Sequence, residues 1–133
     1  MAARMADVAA VSSWLLEQYG AVEISSVEVL NHIDHDLFSA REVYVRVLDV
    51  TVCVWSQDEA ARIARRLGLP LIESHVSVSC GARYGWCSWA GYVDVETPSG
   101  LPMNLAMRAA RLLGESERFE TMAAPAPEPR AVA

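Results

Sequence analysis

The chain contains no lysine. Its 11 basic residues are all arginine, set against 17 aspartates and glutamates, for a formal charge of −6. An acidic average field repels a phosphate backbone, which argues against a nucleic-acid binder held mainly by phosphate contacts. With alanine abundant, the missing lysine reads as codon usage in a GC-rich genome rather than a functional choice. Cysteine is also scarce. Cys53, Cys80 and Cys87 are odd in number and lack the close pairings that hold structural zinc, so reduced, mostly buried thiols are expected. No apolar run approaches the ~20 residues a membrane span needs. The opening stretch MAARMADVAAVSSWLL lacks the basic flank, long apolar core and cleavage pattern of a secretory signal, which points to the cytoplasm. Missing too are a G-x-S-x-G elbow, a cysteine beside an evident activating histidine and a glycine-rich phosphate loop, so nucleophilic and nucleotide chemistry have little support.

What is present is a globular balance. At 133 residues, 53% hydrophobic and 21% charged, the chain has the size and composition of one domain with one core. That domain is expected over residues 1–114. From 115 to 133 the chain turns polar and then Ala/Pro-rich, a composition that cannot bury a core and suits a solvated, disordered tail.

Valines at 43, 45 and 47 and again at 50, 52 and 54 change phase once, between Leu48 and Asp49. Side chains alternate faces along a strand, so a hairpin turning at Leu48-Asp49 is what places all six valines on one face. Leu-Asp is a poor substitute for the Asn-Gly or Asp-Gly such a turn favours. Next comes SQDE, a capping box in which Ser56 and Glu59 satisfy each other's free amides and open a helix whose Ala60, Ile63, Ala64 and Leu67 face inward. Gly68 and Pro70 end it.

The same logic assigns a first helix over 7–19, with Asp7 as cap and Gly20 as stop, and a strand over 21–30 whose phase slips at Ser25-Ser26, as at a bulge. NHIDHDLFSA then breaks the pattern with Asn31, Asp34, Asp36 and Ser39 and reads as a loop. LIESHVSVSC and WCSWAGYVDVET read as two strands joined by a turn at GARYG, and Leu101, Leu105, Ala109 and Leu112 recur as the inward stripe of a third helix that Gly114 stops. The expected fold is a two-layer α+β domain in the order α-β-β-β-α-β-β-α, with about five mostly antiparallel strands and three helices on one sheet face. ARIARRLG and MRAARLLG match in register, which raises a duplicated strand-strand-helix unit beside the plainer reading of convergent helix ends in a biased composition.

Two clusters carry candidate chemistry. His32, Asp34, His35 and Asp36 fall inside five residues and can serve as acid and base or approach a metal, although the spacing matches no recognised ligand set. A polar loop with unliganded histidines is the commoner meaning, and no metal or cofactor is assigned. The second cluster is aromatic: Tyr84, Trp86, Trp89 and Tyr92 with Arg83 and interleaved glycines, joined by Tyr44 and Trp55 on the hairpin face the helices leave bare. Large rigid rings with one polar handle suit a protein interface or a small-molecule pocket, against ordinary sheet packing. A pairing of Cys87 with His75 across the hairpin is a further, thinner idea. Arg62, Arg65, Arg66, Arg108 and Arg111 would form a basic stripe if two helices lay side by side, although a solvated face is the usual explanation. The leading expectation is a non-enzymatic interaction module, self-associating or bound to a protein partner. The alternative is a small enzyme or ligand-binding domain, with a pocket between the aromatic hairpin and the His/Asp loop.

Overall fold

The computed structural model describes residues 4–35 and 44–121, for 32–35, 44 and 45 in the backbone only. The elements run α1 (Met5–Tyr19), β1 (Ile24–His35), β2 (Tyr44–Val54), α2 (Gln57–Leu67), β3 (Leu71–Ser79), β4 (Ala82–Val93) and β5 (Met103–Leu113). The sheet order is β1-β2-β5-β4-β3. The β2–β5 pairing is parallel and the other three are antiparallel. Both helices share one apolar core with one face of this sheet, giving two layers. The α+β class and the five mostly antiparallel strands are as expected, but the described residues form two helices, in the order α-β-β-α-β-β-β. Among the described residues no helix is long and apolar enough to cross a membrane.

The expected hairpin at Leu48-Asp49 is one continuous strand. Leu48 falls in phase with Val50, Val52 and Val54, all buried in the core, while the neighbouring Val47 is 1% exposed on the opposite side. β2 lies between β1 and β5, and at Val47 and Leu48 this inner strand is buried on both faces, so apolar residues stand there in both phases. The phase change between Val47 and Val50 therefore records burial on both faces at this point of the strand, not a turn. Burying each such valine or leucine contributes about 1.5–3 kcal/mol before entropy is subtracted.

The expected third helix is likewise a strand. In β5 the buried residues are Met103, Leu105, Met107, Ala109 and Leu113, an alternation, while Leu112 is exposed. Ala, Leu, Met and Arg favour helix locally, but β5 fills the slot between β2 and β4 and pairs along both edges, and tertiary packing overrides propensity. Ala61–Gly68 thus runs through α2 while Met107–Gly114 runs through β5, so the matched octets do not mark a repeated unit. The basic stripe dissolves for the same reason, since Arg108 and Arg111 stand on a strand.

Other local expectations fare better. The register shift between Ile24 and Ser26 is the bulge anticipated at Ser25-Ser26, although β1 continues through Asn31–His35, which was read as loop. Ser56 Oγ accepts from Glu59 N at 3.3 Å at the start of α2, and Gly68 closes it in the left-handed conformation. Gln57 Nε2 then donates to Gly85 O at 2.8 Å and Ala109 O at 3.1 Å, seating this end of α2 on β4 and β5. Helix α1 begins at Met5, not Asp7, and Gly20 ends it. Asp7 lies inside the first turn, fully buried, and its Oδ1 accepts from Ser99 N at 3.1 Å, tying α1 to the β4–β5 connection.

The first part of the stretch assigned to a tail, Glu115–Thr121, is described. It runs as a strap across the helix-side face of the sheet, beyond α2. Arg83 donates to the carbonyls of Gly114, Glu115 and Glu117, and Ser74 Oγ donates to Glu120 O at 2.9 Å. Residues 122–133 lie outside the described residues.

Candidate interaction surface

The sheet face away from the helices is built by register. A two-residue turn at Cys80-Gly81, both with positive φ, joins β3 directly to β4. The expected turn at GARYG is therefore shorter, with Ala82–Gly85 already in the strand. Counting outward from this turn pairs Ser77 with Tyr84 and His75 with Trp86. On the other side β4 pairs with β5, setting Trp86 opposite Ala110 and Ser88 opposite Arg108. Trp86 thus stands between two strands that each bring it a partner.

From β3, the His75 ring lies parallel to Trp86, with centroids 6.5 Å apart and 12° between planes, and Ser77 Oγ accepts from Trp86 Nε1 at 2.9 Å. From β5, the Arg108 guanidinium sits 5.1 Å from the Trp86 ring centroid, within cation–π range. His75 Nδ1 also lies 3.1 Å from Glu73 Oε1, a distance at which a protonated imidazole is attracted, although the two lack the alignment of a hydrogen bond. Beside this group Leu112, opposite Tyr84, is 63% exposed, Tyr92 is 57% exposed six residues further along β4 on the same face, and among the described residues no helix covers the face.

The other expected site residues are dispersed. Tyr84 shares the open face. Trp89 falls on the opposite side, 8% exposed in the core, as the odd spacing from Trp86 requires. Arg83 faces the helix side too, clamping the strap. Trp55 lies just past β2 and is 66% exposed, its amide donating to Glu23 O at 3.1 Å. Tyr44 has its backbone in β2, and His32, Asp34 and His35 have theirs in β1, but their side chains lie outside the described residues. Strand order sets β1 three inter-strand steps from β4, about 14 Å.

Among the described residues, the one cysteine–histidine pair considered for nucleophilic chemistry does not form. Cys87 pairs with Ser74 and so points to the helix side, away from His75, which corrects the idea that the two meet across the hairpin. Burial raises the Cys87 thiol pKa, the nearby Arg111 charge partly offsetting it, which disfavours the thiolate. Cys53 is half-buried and Cys80 is exposed in its turn, so the expectation of mostly buried thiols fails at Cys80. Among the described residues no three His, Cys, Asp or Glu side chains group as a metal site.

His75, Ser77, Arg108 and Leu112 were not assigned to the surface from sequence. The Cys-Gly dipeptide between two alternating runs was the available signal: a two-residue turn there fixes the His75–Trp86 pairing by counting alone. Comparison of the chain with protein-family models, curated proteins and solved structures finds no match.

Proposed function

We propose that this domain is a non-enzymatic binding module that pairs with a second copy of itself through the helix-free face of its sheet. The observation that carries this reading is the Trp86 platform, a ring braced by His75 and Arg108 on a face where Leu112 and Tyr92 stand exposed. Aromatic residues and arginine are enriched at interfaces, contiguous apolar surface is seldom left in water by monomers, and a two-fold pair is the commonest way to cover it. A sheet face also suits self-pairing, because two copies can lay flat surfaces of the same composition together.

The experiment is sedimentation velocity or light scattering of the full chain at micromolar concentration, beside Leu112→Glu. Leu112 is largely exposed, so the substitution leaves the fold intact while placing a carboxylate on the proposed contact face, diagonal to Trp86. A dimer that Leu112→Glu converts to monomer supports the proposal. A parent chain that is monomeric throughout removes it, as does a dimer indifferent to the substitution.

A further inference from the structure

The strap on the opposite side of the sheet occupies a groove it does not fill. Strand β4 carries Gly85 where the strap crosses, and a Cβ placed there would stand 2.5 Å from the Phe119 ring. Glycine at this point makes the slot that the ring enters. Beside the ring, Arg111 pairs with Glu117 at 2.5 Å and holds its guanidinium 5.6 Å from the Phe119 centroid. That hydrogen bond, helped by the Gly114 amide, keeps the Glu117 carboxyl below the usual range. Arg83 and Ser74 hold backbone instead: Arg83 takes the carbonyls of Glu115 and Glu117 together with that of Gly114 just before the strap, and Ser74 that of Glu120. The strap has no regular secondary structure, and Glu115, Ser116, Arg118 and Glu120 remain exposed.

Space is left on both sides. An open depression of about 550 Å³ is lined by Phe119, Glu120 and Thr121 of the strap with Leu71, Ser74, Cys87 and Arg111, and another of about 620 Å³ by the strap with Val76 and Arg83. Carbonyl clamps, one carboxylate contact and one aromatic slot are what a site for an extended peptide needs, since backbone groups supply affinity and two side chains supply selectivity.

We propose that this groove is a docking site for an extended acidic segment of a partner protein carrying an aromatic residue two positions after a glutamate, and that Glu115–Thr121 occupies it in cis as a displaceable substitute. Arg83 and Arg111 make the groove locally basic on a chain whose total charge is −6, which gives the acidic partner its complement. The proposal does not depend on pairing through the opposite face.

The test uses the full chain, its Phe119→Ala variant and a fluorescein-labelled peptide of the sequence ESERFET, with binding read by fluorescence anisotropy and folding by circular dichroism. With its own ring removed, the variant is expected to bind the peptide at least about tenfold more tightly than the parent, the factor a buried aromatic side chain commonly carries. A peptide with alanine for phenylalanine should not bind. Gly85→Ala added to Phe119→Ala should abolish binding; if that double variant does not fold, Arg83→Gln in the same background should weaken binding at least severalfold. Equal affinity for parent and variant overturns the proposal, as does no binding to a folded Phe119→Ala chain or indifference to both groove substitutions. A parent dimer dissociated by Phe119→Ala but not by Leu112→Glu would assign the groove to a second copy's strap and overturn the partner assignment. Loss of dimer in Leu112→Glu alone bears only on the opposite face.

Discussion

His75 and Trp86 stack across the β3–β4 pair because the turn at Cys80-Gly81 sets them directly opposite. Cross-strand ring pairs contribute beyond the area they bury, by about 0.5–1.5 kcal/mol. Both rings are only half-covered, so a coupling near the lower limit is expected. A double-mutant cycle with His75→Ala and Trp86→Leu, read by urea unfolding, measures it. Additive effects would mean that the stack contributes nothing to the platform.

The start of α2 hangs on Ser56, whose hydroxyl accepts from the Glu59 amide. The reciprocal half of the expected capping box is not what the Glu59 carboxylate does, since it lies 3.7 Å from Arg62. Ser56→Ala should therefore cost about 1 kcal/mol. Ser56→Asp should hold stability near the parent, because a carboxylate caps the same amide and suits the positive end of the helix dipole. Urea midpoints with unchanged slopes decide between them.

Leu105 and Leu112 separate a strand from a helix at β5. Seven residues apart, they would share a helix face and respond alike to truncation. On the strand, Leu105 is 0% and Leu112 63% exposed. Leu105→Ala is expected to lose about 2–5 kcal/mol, and Leu112→Ala about 0.5 kcal/mol or less. Similar losses in thermal or urea unfolding would contradict the central position of β5.

The same two residues show where sequence reasoning reached its limit. Local signals with a short-range cause were legible: the Ser56 cap, the Gly20 and Gly68 stops and the slip at Ser25-Ser26 depend on a few neighbouring atoms. What failed depended on which strands lie inside the sheet. Val47 and Leu48 are adjacent and both buried, which reads as a turn until β1 and β5 are known to flank β2. Leu101, Leu105, Ala109 and Leu112 fit a helical stripe as well as Met103, Leu105, Met107 and Ala109 fit a strand, and only the gap between β2 and β4 decides. At the surface, Trp86 was identified by residue type, whereas His75 and Arg108 needed the register on either side of β4.

Tyr19 gives the fold a pH dependence of known sign. Its ring is 6% exposed at the end of α1, its hydroxyl donates to Met107 Sδ at 3.3 Å, and burial raises its pKa from 10.0 to about 12, with Arg66 partly offsetting the shift. In the unfolded chain the phenol ionises near its ordinary value, while the folded chain keeps the proton. Above pH 10 the folded state binds more protons than the unfolded one, so stability falls as pH rises. The contribution is fully present below pH 10, and about 2–3 kcal/mol is lost as pH climbs to about 12. Tyr19→Phe keeps the ring in the core but has no proton to lose. Urea unfolding at intervals between pH 9 and 12 should therefore show a steeper decline for the parent than for Tyr19→Phe, the difference growing above pH 10. Parallel curves would mean that the hydroxyl ionises freely, and that α1 does not hold it against Met107.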